Sequence, residues 1–235
     1  MNKLIIAGPC TFSSYEEVYK IASMLKERGI EYLRAGAFKM RTSPDSFQGL
    51  RDEGIEMLLK IKKELKMKIV TELTTIEQVK KYGNKIDIIQ IGTRNMFNYE
   101  LLKEVGKTKT PVILKRSFAA TYNEWINAAL YIKREGNTNI ILCERGIKSF
   151  SNETRNVLDI QAIPYIKHNT DYKIIVDPSH ASGHAYMVEP MSKAAISAGC
   201  DGLLIEVHNE PSKSLCDSEE TIDFDTLDKI LDFIK

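Results

Sequence analysis

Short, β-branched apolar runs alternate along the chain with longer stretches whose apolar positions recur every three or four residues. The short runs predict strands over Leu4 to Ala7, Glu31 to Arg34, Lys68 to Glu72, Asp87 to Ile91, Pro111 to Lys115, Asn139 to Cys143, Lys173 to Asp177 and Gly202 to Val207. The stretches between them predict helices over Ser14 to Arg28, Phe47 to Leu65, Ile76 to Tyr82, Tyr99 to Val105, Tyr122 to Arg134, Glu153 to Lys167, Met187 to Ala198 and Phe224 to Ile234. Ser13 or Ser14 can cap the first helix together with Glu17. Gly29, Gly83, Gly106, Gly136 and Gly199 each stand where a helix should stop.

Eight successive strand–helix units, with strands that are nearly all apolar and no long linker, predict a (β/α)8 barrel spanning 1–235 as a single catalytic domain. A doubly wound open sheet is the main alternative. It offers no reason for eight units, whereas barrels of this kind run to roughly 250 residues.

Charge and cysteine usage narrow the class. Lys and Arg total 33 against 32 Asp and Glu, so there is no general basic field for nucleic acid, and any anion selectivity must be local. No run approaches the roughly 18 to 20 apolar residues of a membrane span, and the chain opens directly into Leu4-Ile5-Ile6 rather than a signal sequence. The expectation is a cytoplasmic protein with neither nucleic-acid nor membrane partner. Cys10, Cys143, Cys200 and Cys216 lie far apart with no C-x-x-C pair, which predicts free thiols, one of them a candidate ligand.

In a barrel the loops after the strands converge on one mouth. Read in chain order, those positions supply two groups. The first is cationic: Arg34, Lys39, Arg41, Arg94, Lys115, Arg116 and Arg145. Arg presents a bidentate fork to carboxylate or phosphate and Lys a point charge, so the set suits two or more anionic groups. For two or three of them the competing reading is a strand-end salt bridge to Glu72, Glu144 or Asp177. The second group is Cys10, His180, Glu206 and Asp217, brought together if the last strand closes against the first. A thiolate, an imidazole and two carboxylates suit Mn2+, Fe2+, Co2+ or Zn2+ and are too soft for a site reserved to magnesium. Spacing alone leaves this open, since a Cys after Gly-Pro is also a common buried small residue and a His after Asp-Pro-Ser a turn hydrogen-bonder. His208, two residues beyond Glu206, falls on the same strand face.

The segments "IIAGPC", "RAGAFKMRTSP", "SFQGL", "QIGTRNMFNYELLKEVGK", "PVILKR", "ILCERG", "IVDPSHASG" and "GLLIEVH" resemble, in order and spacing, the 3-deoxy-D-arabino-heptulosonate 7-phosphate (DAHP) synthases of the compact bacterial and archaeal type. The resemblance covers nearly the whole chain. It implies a (β/α)8 barrel that condenses phosphoenolpyruvate with erythrose 4-phosphate and releases phosphate, the first step of the shikimate pathway to aromatic amino acids. It implies that Arg34, Lys115 and Arg145 hold phosphoenolpyruvate and that Arg94 lies close to both substrates. Lys39, Arg41 and Thr42 would contact the erythrose phosphate, and Arg116 is expected in the same substrate-binding set. A divalent metal would sit on Cys10, His180, Glu206 and Asp217. Lys115 and Glu144 are the side chains expected to move protons, with Cys10 and His180 at the reacting centre. A homo-oligomer, dimer or tetramer, is also implied.

Departures from the family pattern are few. Met40 stands where a proline is common, Asn209 where another is usual, and Ser218 rather than Gly follows Asp217. The chain begins at its first strand, without the extra N-terminal segment or regulatory domain of many relatives. The expectation is therefore no feedback by aromatic amino acids through an attached domain. The nearest rival is the sister synthase that makes 3-deoxy-D-manno-octulosonate 8-phosphate from arabinose 5-phosphate; Lys39-Met40-Arg41-Thr42 has the spacing of the four-carbon-sugar enzyme instead. A Schiff-base aldolase using Lys115 would leave the metal quartet idle, and a barrel kept only as a scaffold would not retain every catalytic group. Trp125 reads as a packing or interface residue, Ser182 and His184 as loop-shaping, and Cys143 and Cys200 as small core residues. Cys216 competes less well than Cys10 for the metal.

Overall fold

Apolar side chains at successive positions make these strands bury both faces, and the arrangement that covers both without an edge is a closed barrel wrapped by helices. The computed structural model describes residues 3–235. Its strands are β1 (Leu4–Gly8), β2 (Tyr32–Arg34), β3 (Lys68–Glu72), β4 (Ile88–Ile91), β5 (Val112–Lys115), β6 (Ile140–Glu144), β7 (Lys173–Val176) and β8 (Gly202–Glu206). They form a closed barrel in sequence order, every adjacent pair parallel. Closure comes from β1 against β8, with Leu4 opposite Gly202 and Gly8 opposite Glu206.

Period-two alternation then assigns the site. Ile6, Val70, Ile88, Ile113, Cys143, Ile175 and Leu204 pack on one another inside the barrel, with Tyr32 of β2 against them. Two residues further along each chain, on the same inward face, stand Gly8, Arg34, Glu72, Gln90, Lys115, Arg145, Asp177 and Glu206. An apolar floor therefore carries a ring that is polar at every position except Gly8. Gly8 has φ +146°, and a Cβ there would lie 2.1 Å from the Arg34 carbonyl oxygen, so only glycine lets β2 approach β1 at this level. The floor bears on stability directly. Ile113→Ala should cost about 2–5 kcal/mol, the range for truncating a fully buried aliphatic side chain, read as a lowered urea midpoint.

The outward faces of the strands, Ala7, Leu33, Ile69, Leu114, Leu142 and Leu203 among them, pack under the helices. These are α1 (Tyr15–Glu27), α2 (Arg51–Leu65), α3 (Ile76–Tyr82), α4 (Tyr99–Gly106), α5 (Tyr122–Arg134), α6 (Ala162–Asn169), α7 (Pro178–Ser182), α8 (Ala185–Ser197) and α9 (Phe224–Ile234). Ser14 caps α1 by accepting from the Glu17 N–H, while Glu17 accepts from Ser13. Trp125 is fully buried and donates its indole N–H to the Leu114 carbonyl at 3.1 Å, a packing role. Cys143 and Cys200 are buried core residues, as expected.

Two predicted helices begin late. The one expected from Phe47 starts at Arg51, because Gly49 takes φ +86° with its Cβ position 2.2 Å from the Ala37 carbonyl oxygen, and the chain turns there instead of coiling. The one expected from Glu153 starts at Ala162: Arg155 and Asn156 hydrogen-bond through their backbone N–H groups to Ser182 and Ala181, and Ile147 pairs with Val157. The five-residue α7 was not expected. Of the glycines expected at helix ends, Gly29, Gly136 and Gly199 adopt left-handed φ, whereas Gly83 stays right-handed and Gly106 closes α4 from within.

Candidate active site

Cys10, His180, Glu206 and Asp217 reach one point from four directions. Cys10 follows β1 and is fully buried. His180 sits in α7, whose start is set by Asp177: its Oδ1 accepts from the His180 N–H at 3.0 Å, and Pro178 occupies the first turn. Glu206 ends β8 facing inward. Asp217, in the loop after β8, has φ +55° and is held there by Thr221, whose N–H and hydroxyl both donate to the Asp217 carbonyl at 3.1 and 2.7 Å. One donor atom from each of the four residues lies within 4.8 Å of every other. The Cys10 thiol donates to Asp217 Oδ2 at 2.7 Å, and His180 Nε2 is 3.2 Å from Glu206 Oε1.

Their electrostatics suit a cation. Burial drives the His180 imidazole below its ordinary pKa, outweighing Asp177 and Glu206, so the ring is neutral with a lone pair to offer. His180 Nδ1 lies 2.7 Å from Asp177 Oδ2, a close polar contact whose angle falls short of a hydrogen bond; it favours the tautomer protonated at Nδ1, which would leave Nε2 to ligate a metal. Burial opposes ionisation of Glu206 and Asp217, but in the acid range where the imidazole carries its proton His180 with Arg34, and His180 with the Cys10 hydrogen bond and Lys39, hold both below the usual carboxylate range. Burial and the charge of Glu206 push the Cys10 thiol well up, against Lys39 and Arg34. Glu206 Oε2 is buried with no hydrogen-bond partner, which costs about 1–3 kcal/mol unless something ligates it. A first-row divalent cation fits this donor set: it would satisfy the orphaned oxygen, accept a thiolate and use the neutral imidazole.

Beside the quartet lies a cavity of about 320 Å3, within the range of small-ligand sites. Seven cations line it, Arg34, Lys39, Arg41, Arg94, Lys115, Arg145 and Arg155, against two carboxylates, Glu72 and Asp217. Several are already oriented. Arg34 pairs with Glu206, Lys115 Nζ donates to Asp177 Oδ2 at 2.5 Å, and Lys39 Nζ donates to Cys10 Sγ at 2.8 Å. Arg94 donates to the Thr42 hydroxyl at 3.2 Å and Arg145 to the His180 carbonyl at 3.1 Å. The Phe118 ring carries the Arg145 guanidinium at 4.9 Å and that of Arg94 at 5.7 Å, stiffening both.

Some expected residues lie elsewhere. Arg116 does not line the cavity: its buried guanidinium is spent on Glu144, Asp159 and the Ala120 carbonyl. Glu144 is fully buried behind the mouth, one oxygen accepting from Arg116 and the other from the Gly146 N–H, and burial raises its pKa. The strand-end salt-bridge reading therefore holds for Arg116. His208 pairs with Glu17 of α1 at 2.9 Å, outside the quartet. Cys216 contacts Arg41 Nη1 at 3.2 Å instead of joining the ligands. In return the structure adds Arg155, paired with Asp217 and Glu220. Burial, with the charges of Glu206 and Asp217, lifts Glu220 to about 7 against the pull of Arg155. Nothing in the local pattern around Arg155 marks it, since its partners are more than 60 residues away.

The chain is similar to known proteins over nearly all its length. The model of the DAHP synthetase I family matches residues 1–235. The phospho-2-dehydro-3-deoxyheptonate aldolase of Thermotoga maritima is 45% identical over 98% of this chain, which spans 68% of that protein. Its crystal structure superposes with a TM-score of 0.94, covering 98% of this chain and 67% of that one; a truncated form from the same organism, 42% identical, gives 0.91 with 84% of its chain covered. The 2-dehydro-3-deoxyphosphooctonate aldolase of Desulfotalea psychrophila is 30% identical over 97% of this chain and 87% of its own. A family match over residues 1–235 and a shared barrel make the chain a member of the DAHP synthetase I family of enzymes.

Proposed function

We propose that this enzyme condenses phosphoenolpyruvate with erythrose 4-phosphate to give DAHP and inorganic phosphate, with a divalent metal on Cys10, His180, Glu206 and Asp217. The observation that carries the reading is the convergence of those four donors on the edge of a cavity lined by seven cations. The substrates together bring one carboxylate and two phosphates, which is what such a surplus can neutralise. The greater identity to the heptonate aldolase than to the octonate aldolase supports the four-carbon acceptor.

Arg34, Lys115 and Arg145, on the inward ring, hold phosphoenolpyruvate; Lys39, Arg41 and Thr42, on the loop after β2, hold the sugar phosphate. Arg94 stands between them, tied to Thr42. Fixing two anions side by side in a partly desolvated pocket removes most of the entropy of bringing the reacting carbons together. The metal, when bound, supplies Lewis acidity at the aldehyde of the acceptor. Lys115 Nζ faces the cavity with protons to give, whereas both oxygens of Glu144 are engaged behind it. Glu144 thus acts by holding Arg116 and the Gly146 N–H in place. The same reading places the enzyme in the cytoplasm at the head of the shikimate pathway. Exposed Phe97, Tyr99 and Tyr131 on the α4–α5 side support assembly with further copies.

Water adds at C2 and the bond to the bridging oxygen breaks on the carbon side. With 18O in the bridging position of phosphoenolpyruvate, all the label should leave in inorganic phosphate; label retained in the seven-carbon product would contradict the reading.

A further inference from the structure

We propose that Arg155 and Asn156 are positioning residues that lock two of the four metal ligands, His180 and Asp217, to one another across separate loops, and so set the affinity for the metal. The inference rests on the metal reading above and concerns residues that hold the ligands in place.

Five contacts carry it. The Arg155 and Asn156 backbone N–H groups donate to the carbonyls of Ser182 and Ala181 at 3.1 and 2.9 Å, so the dipeptide lies along the end of α7. Asn156 Nδ2 donates to the carbonyl of His180 itself at 3.1 Å. From the same dipeptide the Arg155 guanidinium crosses to the loop after β8, where Nη1 meets Asp217 Oδ1 at 3.3 Å and also pairs with Glu220. One short segment thus grips the helix that carries the imidazole and the carboxylate that completes the quartet.

The segment is itself fixed. Ile147 and Val157 exchange both backbone hydrogen bonds at 2.9 Å. Gly146 and Gly183 leave room for it: a Cβ on Gly146 would lie 2.7 Å from Asn156 Cβ, and one on Gly183 2.7 Å from Arg155 Cβ. Asn156 is 5% exposed and Glu220 likewise. A buried carboxylate whose partner is Arg155 makes sense as an anchor, because it keeps the guanidinium over Asp217 when a cation draws that carboxylate away.

Although Arg155 lines the cavity, its charge is shared between two carboxylates, which distinguishes it from Arg94 and Arg145. Groups that orient metal ligands typically change metal affinity by about 10- to 100-fold when removed. The test uses Co2+ as probe on the full chain stripped of metal, following the cobalt d–d and thiolate charge-transfer absorption. Arg155→Met should weaken Co2+ binding by about 10- to 100-fold and alter the bands, with Arg155→Lys recovering part of the loss. At saturating Co2+ the KM for phosphoenolpyruvate and for erythrose 4-phosphate should stay at the wild-type value in Asn156→Ala, whose side chain holds the His180 carbonyl and does not line the cavity. Glu220→Gln, which keeps side-chain volume, should weaken Co2+ binding in the same direction and serves if Arg155→Met fails to fold. Unchanged Co2+ affinity and spectrum in these variants overturns the inference, as does unchanged affinity with a raised KM, which would make Arg155 a substrate contact. If wild type takes up no Co2+, or Cys10→Ser leaves its bands intact, the metal reading fails first and this inference falls with it; wild-type uptake with an unaffected Arg155→Met overturns this inference alone.

Discussion

Cys10→Ser should bind metal more than about 100-fold more weakly, beyond the range seen when only a supporting group is lost, and turnover should fall with occupancy while the barrel stays folded. Serine preserves the volume of a fully buried position, so the floor and the loop after β1 are not disturbed. What changes is the donor: a hydroxyl does not ionise at neutral pH and is harder than a thiolate. The pH dependence separates the two proteins further. Burial and Glu206 raise the Cys10 pKa, so the metal-free thiol carries its proton at neutral pH and must release it on ligation. Apparent affinity should therefore climb with pH, by up to about tenfold per unit below that pKa, and the serine variant should lose this dependence. Calorimetry in two buffers of different ionisation enthalpy reads the released proton directly. Wild-type affinity and activity in Cys10→Ser would remove the thiol from the ligand set.

Lys115→Met should lose about 10²- to 10³-fold in kcat/KM, the scale for deleting one preorganised charged donor from an active site. It should also destabilise the protein by about 3–5 kcal/mol, because it leaves the fully buried Asp177 without its ammonium partner. The two effects can be separated. Adding Asp177→Asn removes the orphaned charge while its side-chain oxygen can still cap α7, so the double variant should regain most of the stability and none of the activity. Urea denaturation and phosphate release read the two quantities independently. A Lys115→Met enzyme that keeps kcat/KM within tenfold of wild type would contradict the role given to this lysine, and borohydride inactivation dependent on a keto substrate would move it to Schiff-base chemistry.

The barrel was legible because short apolar runs and helix-period stretches, taking turns eight times, are local properties. Strand ends were placed within a residue or so, and Arg34, Lys115 and Glu206 follow from parity once the floor residues Tyr32, Ile113 and Leu204 are known. Arg116 shows the limit of that reasoning. It adjoins Lys115, shares its chemistry and faces the other way, into Glu144 and Asp159, and only the strand's pleat decides which of two neighbouring cations meets the cavity. Glu206 and His208 fail similarly: β8 ends at Glu206, so the same-face rule stops there and His208 turns to Glu17. Arg155 was hidden for a different reason. The apolar spacing from Glu153 onward fits a helix, but the polar groups of Arg155 and Asn156 find better partners on α7 and on Asp217, and such long-range competition leaves no trace in local periodicity.

The most direct measurement is phosphate release from phosphoenolpyruvate with erythrose 4-phosphate or arabinose 5-phosphate as acceptor, each with Mn2+ and with EDTA. Release with the four-carbon sugar, abolished by EDTA and restored by excess Mn2+, is the predicted result. Release confined to the pentose phosphate would make the enzyme an octulosonate synthase, and release with erythrose 4-phosphate that survives metal removal would contradict the role assigned to Cys10, His180, Glu206 and Asp217.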